Sequence, residues 1–147
     1  MKTFDELRIS EILRKNLREA KFITPTPVQA AAIPAALSGN DVLGTAQTGT
    51  GKTLAFLIPI INKLMQPQGR GIEALVIVPT RELAMQVFDT FVRVNRNTGI
   101  FGVLVVGGLS EGRQLEEIRR GARLVIATPG RLEDYIRRRL INLQGVK

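Results

Sequence analysis

The residues whose types and spacing point most directly to chemistry are Ala46-Gln47-Thr48-Gly49-Thr50-Gly51-Lys52-Thr53. Glycines at 49 and 51 permit a tight turn and a close backbone approach that a Cβ would block, so that backbone N–H groups can converge on an anion. Lys52 suits the β- and γ-phosphates of a nucleotide, and the Thr53 hydroxyl suits a Mg²⁺ ion. An apolar helix pattern opens at Lys52 and adds the positive end of its dipole. The general pattern of such a phosphate loop begins with Gly, whereas this one begins with Ala46.

The elements that must position this loop are legible on either side of it. Leu7, Ile9, Ile12, Leu13 and Leu17 recur at helical spacing and predict a helix over 5–20. Pro25 and Pro27 break it, and a short helix over 28–37 ends at Ser38-Gly39-Asn40. A strand is expected at 41–45, the loop at 46–51, and an apolar helix at 52–66 interrupted by Pro59. Strands at 74–78, 100–106 and 123–127 then alternate with helices at about 81–95, 110–120 and from 130 onwards. The strands read as continuous apolar runs, Ala74–Val78 and Leu124–Ala127 among them, as in sheets buried on both faces. This alternation predicts a three-layer α/β domain with a mainly parallel sheet and its ligands at the carboxyl ends of the strands. The loops 46–51, 79–81, 107–109 and 128–131 are then expected to share one sheet edge.

Composition narrows the chemistry. The 147 residues suit a single domain able to bury roughly 70% of its extended-chain surface, and 44% hydrophobic content argues against disorder. With no Cys and no His, disulfides, zinc fingers, thiol nucleophiles and imidazole bases are excluded. The excess of 21 basic over 13 acidic side chains, net +8, suits an anionic partner or simply a solvated basic surface. Asp5 and Glu6 stand where a signal peptide needs an apolar run, and no stretch approaches a membrane span, so a soluble cytoplasmic protein without a membrane partner is expected.

Taken together, the motifs resemble the DEAD-box ATP-dependent RNA helicases, specifically their first RecA-like domain. Ala-x-Thr-Gly-x-Gly-Lys-Thr is that family's version of the loop at 46–53. Thr24-Pro25-Thr26-Pro27-Val28-Gln29 is similar to the Q motif, with Phe4 upstream and Lys21 at the motif's usual Gly position. Pro79-Thr80-Arg81-Glu82-Leu83-Ala84 resembles motif Ia, Gly107-Gly108 the GG element, and Thr128-Pro129-Gly130-Arg131 motif Ib. The resemblance divides the chain into a Q-motif region, 1–40, and a P-loop core, 41–147.

The resemblance implies ATP and Mg²⁺ as cofactors and RNA as partner. Nucleotide contacts fall to Phe22, Thr24, Gln29 and 46–53, with Lys52 and Thr53 in the catalytic role and Thr53 as metal ligand. The Gln29 amide both donates and accepts, complementing the N6–H and N7 edge of adenine. Phe22 stacks on adenine and Phe4 braces the loop, unless both are ordinary core residues. Pro79, Thr80, Arg81, Glu82, Gly107, Gly108, Thr128, Pro129, Gly130 and Arg131 are implied RNA-backbone contacts, sequence-independent and salt-sensitive.

No Asp-Glu-x-Asp occurs in the chain, although the family's next element is Asp-Glu-Ala-Asp. By resemblance that element helps hold Mg²⁺ and activates water, while a second RecA-like domain supplies arginine fingers. The expectation is therefore an incomplete RecA-like domain lacking central strands, which binds ATP and RNA without turning over. Two readings stay open: part of an RNA helicase that remodels duplexes, or a nucleotide- and RNA-binding module without catalysis. A small-molecule kinase is disfavoured, having no use for the Q motif or motif Ia.

Overall fold

The computed structural model describes residues 1–49, 51–66 and 71–147. Thr50, one of the loop residues singled out above, lies outside them. The chain divides into two compact units, Met1–Gln66 with Thr90–Gly99, and Pro67–Asp89 with Ile100–Lys147.

The first unit is helical. A short 3₁₀ helix at Phe4–Glu6 is followed by α1 (Glu11–Glu19), α2 (Pro27–Leu37), α3 (Lys52–Leu64) and the C-terminal end of α4 (Arg81–Val94). The helix expected over 5–20 is thus split. The Ser10 hydroxyl accepts the Ile12 N–H at 3.3 Å and starts α1 there, and Leu7 and Ile9 are buried from the segment before it. The break expected at Pro25 and Pro27 separates α1 from α2, and Pro27 is the first residue of α2, where its missing N–H would have had no helical partner. Pro59 does not interrupt α3. An interior proline costs about 3 kcal/mol. Leu57, Ile58 and Ile61 are all fully buried from α3, and each contributes roughly 1.5–3 kcal/mol, which outweighs that cost.

The strand expected at 41–45 is absent. Residues 41–45 are irregular and exposed, Leu43 at 95%, and they take part in no ladder among the described residues. A short apolar segment becomes a strand only when a neighbour accepts its hydrogen bonds, and none does here.

The second unit holds the sheet, in the order β1 (Ala74–Ile77), β3 (Leu124–Ala127), β2 (Gly102–Val105), all parallel. Helices α5 (Glu111–Arg119) and α6 (Pro129–Arg137) belong to this unit, and Ser110 caps α5 by accepting the Arg113 N–H. Each boundary lies within two residues of the expected one. One face of the sheet, with Val103, Val105, Val125 and Ala127, packs with Leu132 and Tyr135 of α6, and Leu115 and Ile118 of α5 lie against it. Central β3 is buried along its whole length, as its apolar run predicts. At the edge of the described sheet β1 is not, and its Ile77 is 55% exposed. The α/β class with a parallel sheet is as expected. Among the described residues no helix is long and apolar enough to cross a membrane.

Candidate functional site

The phosphate loop lies in the helical unit and follows irregular chain rather than a strand. Gly49 and Gly51 both have φ +85°, a left-handed conformation that side-chain-bearing residues resist. Gly51 is the N-cap of α3, and no side chain caps that helix, so its first-turn N–H groups are presented to the loop. Lys52 is exposed, and its Nζ donates to the Ala46 carbonyl at 2.6 Å, drawing the two ends of the loop together. Thr53 is half-buried on the first turn of α3, while Ala46 is half-buried and Gln47, Thr48 and Gly49 are exposed. An uncapped helix start, two left-handed glycines and a lysine form a cradle whose chemistry fits a polyphosphate.

Gln29 grips this loop. It is 3% exposed, and its Nε2 donates to the Gly51 carbonyl at 2.9 Å while its Oε1 accepts the Thr26 N–H at 2.9 Å. The latter bond is half of a capping box, completed by the Gln29 N–H donating to Thr26 Oγ1. A Cβ at position 51 would run into the Gln29 amide, so Gly51 is required by space as well as by φ. Each bond uses one of the amide's two donors or one of its acceptor positions.

Phe22 is half-buried, with the Arg93 guanidinium 5.1 Å from its ring centroid. Thr24 is exposed. Phe4 is 3% exposed, and its N–H donates to the Ile23 carbonyl, which makes it a core residue beneath this segment. Lys21 has φ +63° and closes α1: its N–H donates to Arg18 O at 2.9 Å and the Phe22 N–H to Leu17 O at 2.8 Å. The departure from Gly therefore leaves the left-handed turn in place.

In the sheet unit, Ile77 of β1 and Val105 of β2 both stand opposite Ala127 of β3. The three strands end level, and the loops after them open on one edge, as three of the four loops were expected to do. Thr80 Oγ1 accepts the Leu83 N–H at 3.2 Å and so caps α4. Pro79, Arg81 and Glu82 are exposed, the last two paired at 3.7 Å. Gly108 has φ +82°, and a Cβ there would run into Arg81 Nη1. Gly108 thus leaves room for the arginine that lies over it. Thr128, Pro129, Gly130 and Arg131 start α6, whose N-cap Thr128 makes no side-chain cap bond. Two arginines and uncapped amides on one level edge suit phosphate oxygens rather than base edges.

The family model described as DEAD/DEAH box helicase matches residues 26–147. The chain belongs to the DEAD/DEAH box helicase family. Its sequence is 47% identical over 140 residues to the DEAD-box ATP-dependent RNA helicase RhpA of Helicobacter pylori, in each of two strains. The match covers 95% of this chain and 28% of RhpA, so the chain spans less than a third of those relatives. Among solved structures, a DEAD box protein from the hyperthermophile Methanococcus jannaschii matches with a TM-score of 0.91 and 35% identity, over 100% of this chain and 40% of that one. The fold is that of a DEAD-box RecA-like domain.

Beyond the helicase-family motifs, sequence reasoning missed a buried polar pair between α5 and α6. Tyr135 Oη donates to Gln114 Oε1 at 2.6 Å, and Arg131 Nη1 donates to both at 3.3–3.4 Å. The signal was present, since Gln114 interrupts the apolar stripe that α5 shares with Leu115 and Ile118.

Proposed function

We propose that the chain is the ATP- and RNA-binding part of an ATP-dependent RNA helicase, with the phosphate loop holding ATP and the level sheet edge holding an RNA backbone. What carries the reading is the cradle of Gly49, Gly51 and Lys52, with its uncapped α3 start and left-handed glycines, locked to the Q-motif glutamine through Gly51. On this reading Lys52 moves from the Ala46 carbonyl to the β- and γ-phosphates, and Gln29 reads adenine with its remaining donor and acceptor capacity. Thr24 and Phe22 border the base, and residues 46–53 line the phosphates.

Mg²⁺ is a hard cation that keeps oxygen ligands and several waters, and it neutralises charge developing on the phosphates. The Thr53 hydroxyl, half-buried beside the cradle, is a suitable protein ligand for it. RNA contacts come from Pro79, Thr80, Arg81, Glu82, Gly107, Gly108, Thr128, Pro129, Gly130 and Arg131. The division into a Q-motif region, 1–40, and a P-loop core, 41–147, belongs to the same proposal. So does a cytoplasmic location, where ATP and RNA meet.

The sequence contains no Asp-Glu-x-Asp, and these 147 residues are therefore proposed to bind both ligands without hydrolysing ATP. Duplex remodelling would need the acidic element and a second RecA-like domain. The test is ATP binding and RNA-stimulated hydrolysis by the chain and its Lys52→Ala variant. Binding lost in the variant, with no turnover in either, is expected. Hydrolysis by the parent chain, abolished in Lys52→Ala, would overturn the non-catalytic part, and unchanged nucleotide affinity in the variant would overturn the site.

A further inference from the structure

Helix α5 carries no residue of the motifs singled out in the sequence, yet its buried residue is polar. Gln114 is 4% exposed, whereas Leu115 and Ile118 beside it are half-buried. A buried carboxamide is costly unless its donors and acceptors are met. The surroundings of Gln114 meet them from both sides of the candidate RNA edge. Its Nε2 donates to the carbonyl of Val106 at 3.0 Å, the residue leading into the Gly107-Gly108 turn. Its Oε1 accepts the hydroxyl of fully buried Tyr135 at 2.6 Å and Arg131 Nη1 at 3.4 Å.

The amide orientation follows from the chemistry. Val106 O can only accept and Arg131 can only donate, so the nitrogen of Gln114 must face the turn and its oxygen must face α6. Arg131 Nη1 reaches Tyr135 Oη at 3.3 Å and Leu109 O at 3.5 Å, and its guanidinium lies 5.8 Å from the Tyr135 ring centroid. These arginine bonds sit at the long end of the range and run through Nη1 alone, so they orient the side chain rather than consume its fork. Arg138, the C-cap of α6, adds a second tie to α5 through Glu111 at 2.7 Å.

We propose that Gln114, with Tyr135, is the positioning residue of the RNA edge: one buried amide sets the Gly107-Gly108 turn through Val106 and aims Arg131 from the start of α6. The proposal rests on the RNA reading of that edge. Neither residue touches RNA; both act through groups that do.

The test measures binding of a fluorescein-labelled oligouridylate to the 147-residue chain across a salt series, with thermal melts as a check on folding. Arg131→Ala is expected to lower the slope of log K against log salt by about 0.7, one phosphate contact on a single strand. Gln114→Leu is expected to lower it similarly and to weaken binding about three- to tenfold, the scale of a lost hydrogen bond. In the double variant the loss should be smaller than the product of the single losses, because both act on one contact. Tyr135→Phe keeps the ring and packing, and carries the test of aim should Gln114→Leu fail to melt cooperatively. Parent-like binding by Gln114→Leu, or by Tyr135→Phe where that variant replaces it, or multiplicative losses in the double variant, would overturn the proposal while leaving the RNA reading standing. Failure of the parent chain to bind the oligouridylate, or an unchanged slope in Arg131→Ala, would overturn both.

Discussion

The side chain of Gln29 donates to the backbone carbonyl of Gly51 at 2.9 Å, joining the cap of α2 to the residue on which α3 begins. A residue read from sequence as an adenine contact is therefore also a strut of the phosphate loop. On the proposed nucleotide reading, any effect of changing Gln29 has two parts, one through the base and one through the loop.

Gln29→Ala removes the strut and half of the capping box. Leaving the Thr26 N–H and Gly51 carbonyl without these partners should cost about 1–3 kcal/mol of stability, measurable by urea unfolding. ATP and GTP should both bind more weakly through the loosened loop, ATP by the larger factor. Equal losses for the two nucleotides would argue against the adenine contact while leaving the strut intact.

Lys21 holds a left-handed conformation at φ +63° in the turn that closes α1. A side chain there costs roughly 1–2 kcal/mol, partly balanced by the greater freedom that glycine loses on folding. Lys21→Gly should therefore stabilise the chain by about 0.5–1 kcal/mol, seen as a higher urea midpoint at unchanged slope. A lower midpoint would show that the lysine side chain contributes more than its backbone costs.

Gly108 combines φ +82° with Arg81 lying where a Cβ would go, whereas a Cβ at Gly107 meets nothing within 4 Å. Gly108→Ala should cost about 1–2 kcal/mol and displace Arg81, weakening RNA binding with a reduced salt slope. Gly107→Ala should change stability far less. Equal thermal shifts in the two variants would contradict this geometry.

Glu111 on α5 lies 2.7 Å from Arg138, and the hydrogen bond from that guanidinium holds its carboxyl below the ordinary value of 4.5. A carboxylate depressed in the folded state stabilises above its unfolded value, and that contribution is lost as pH falls through the folded one. Arg138 also pairs with Asp134 at 2.9 Å, and both acids push its own proton affinity upwards. Melting temperatures of the parent and Arg138→Ala should therefore differ most from neutral pH down to about 4.5 and converge in more acidic solution. A difference that grows on acidification would have the wrong sign. The pair is exposed, so the effect should also shrink at high salt.

Much of this protein was legible before folding. The strand–helix order from Ala74 onwards is carried by apolar runs of β-branched residues between helical repeats, and each of those boundaries falls within two residues of expectation. The motifs at 46–53, 79–84, 107–108 and 128–131 identify the family because their chemistry depends on local residue types: glycine for left-handed turns, lysine beside a helix start, arginine after a proline. The residues at 41–45 were misread because apolar composition cannot say whether a pairing neighbour is present. The break at Pro25 and Pro27 does separate two helices, as expected, whereas Pro59 does not interrupt α3, because its effect depends on burial along the rest of that helix.

The chain alone determined which residues are able to do chemistry, since that follows from side-chain type and short-range spacing. Only the tertiary structure decided what holds them. Gln29 reaches Gly51 across 22 positions, Gln114 reaches Tyr135 across 21, and Arg81 covers Gly108 from a different loop. Such partners are selected by the need to satisfy buried polar groups and to fill or spare space. Both needs arise only once distant segments have been packed together.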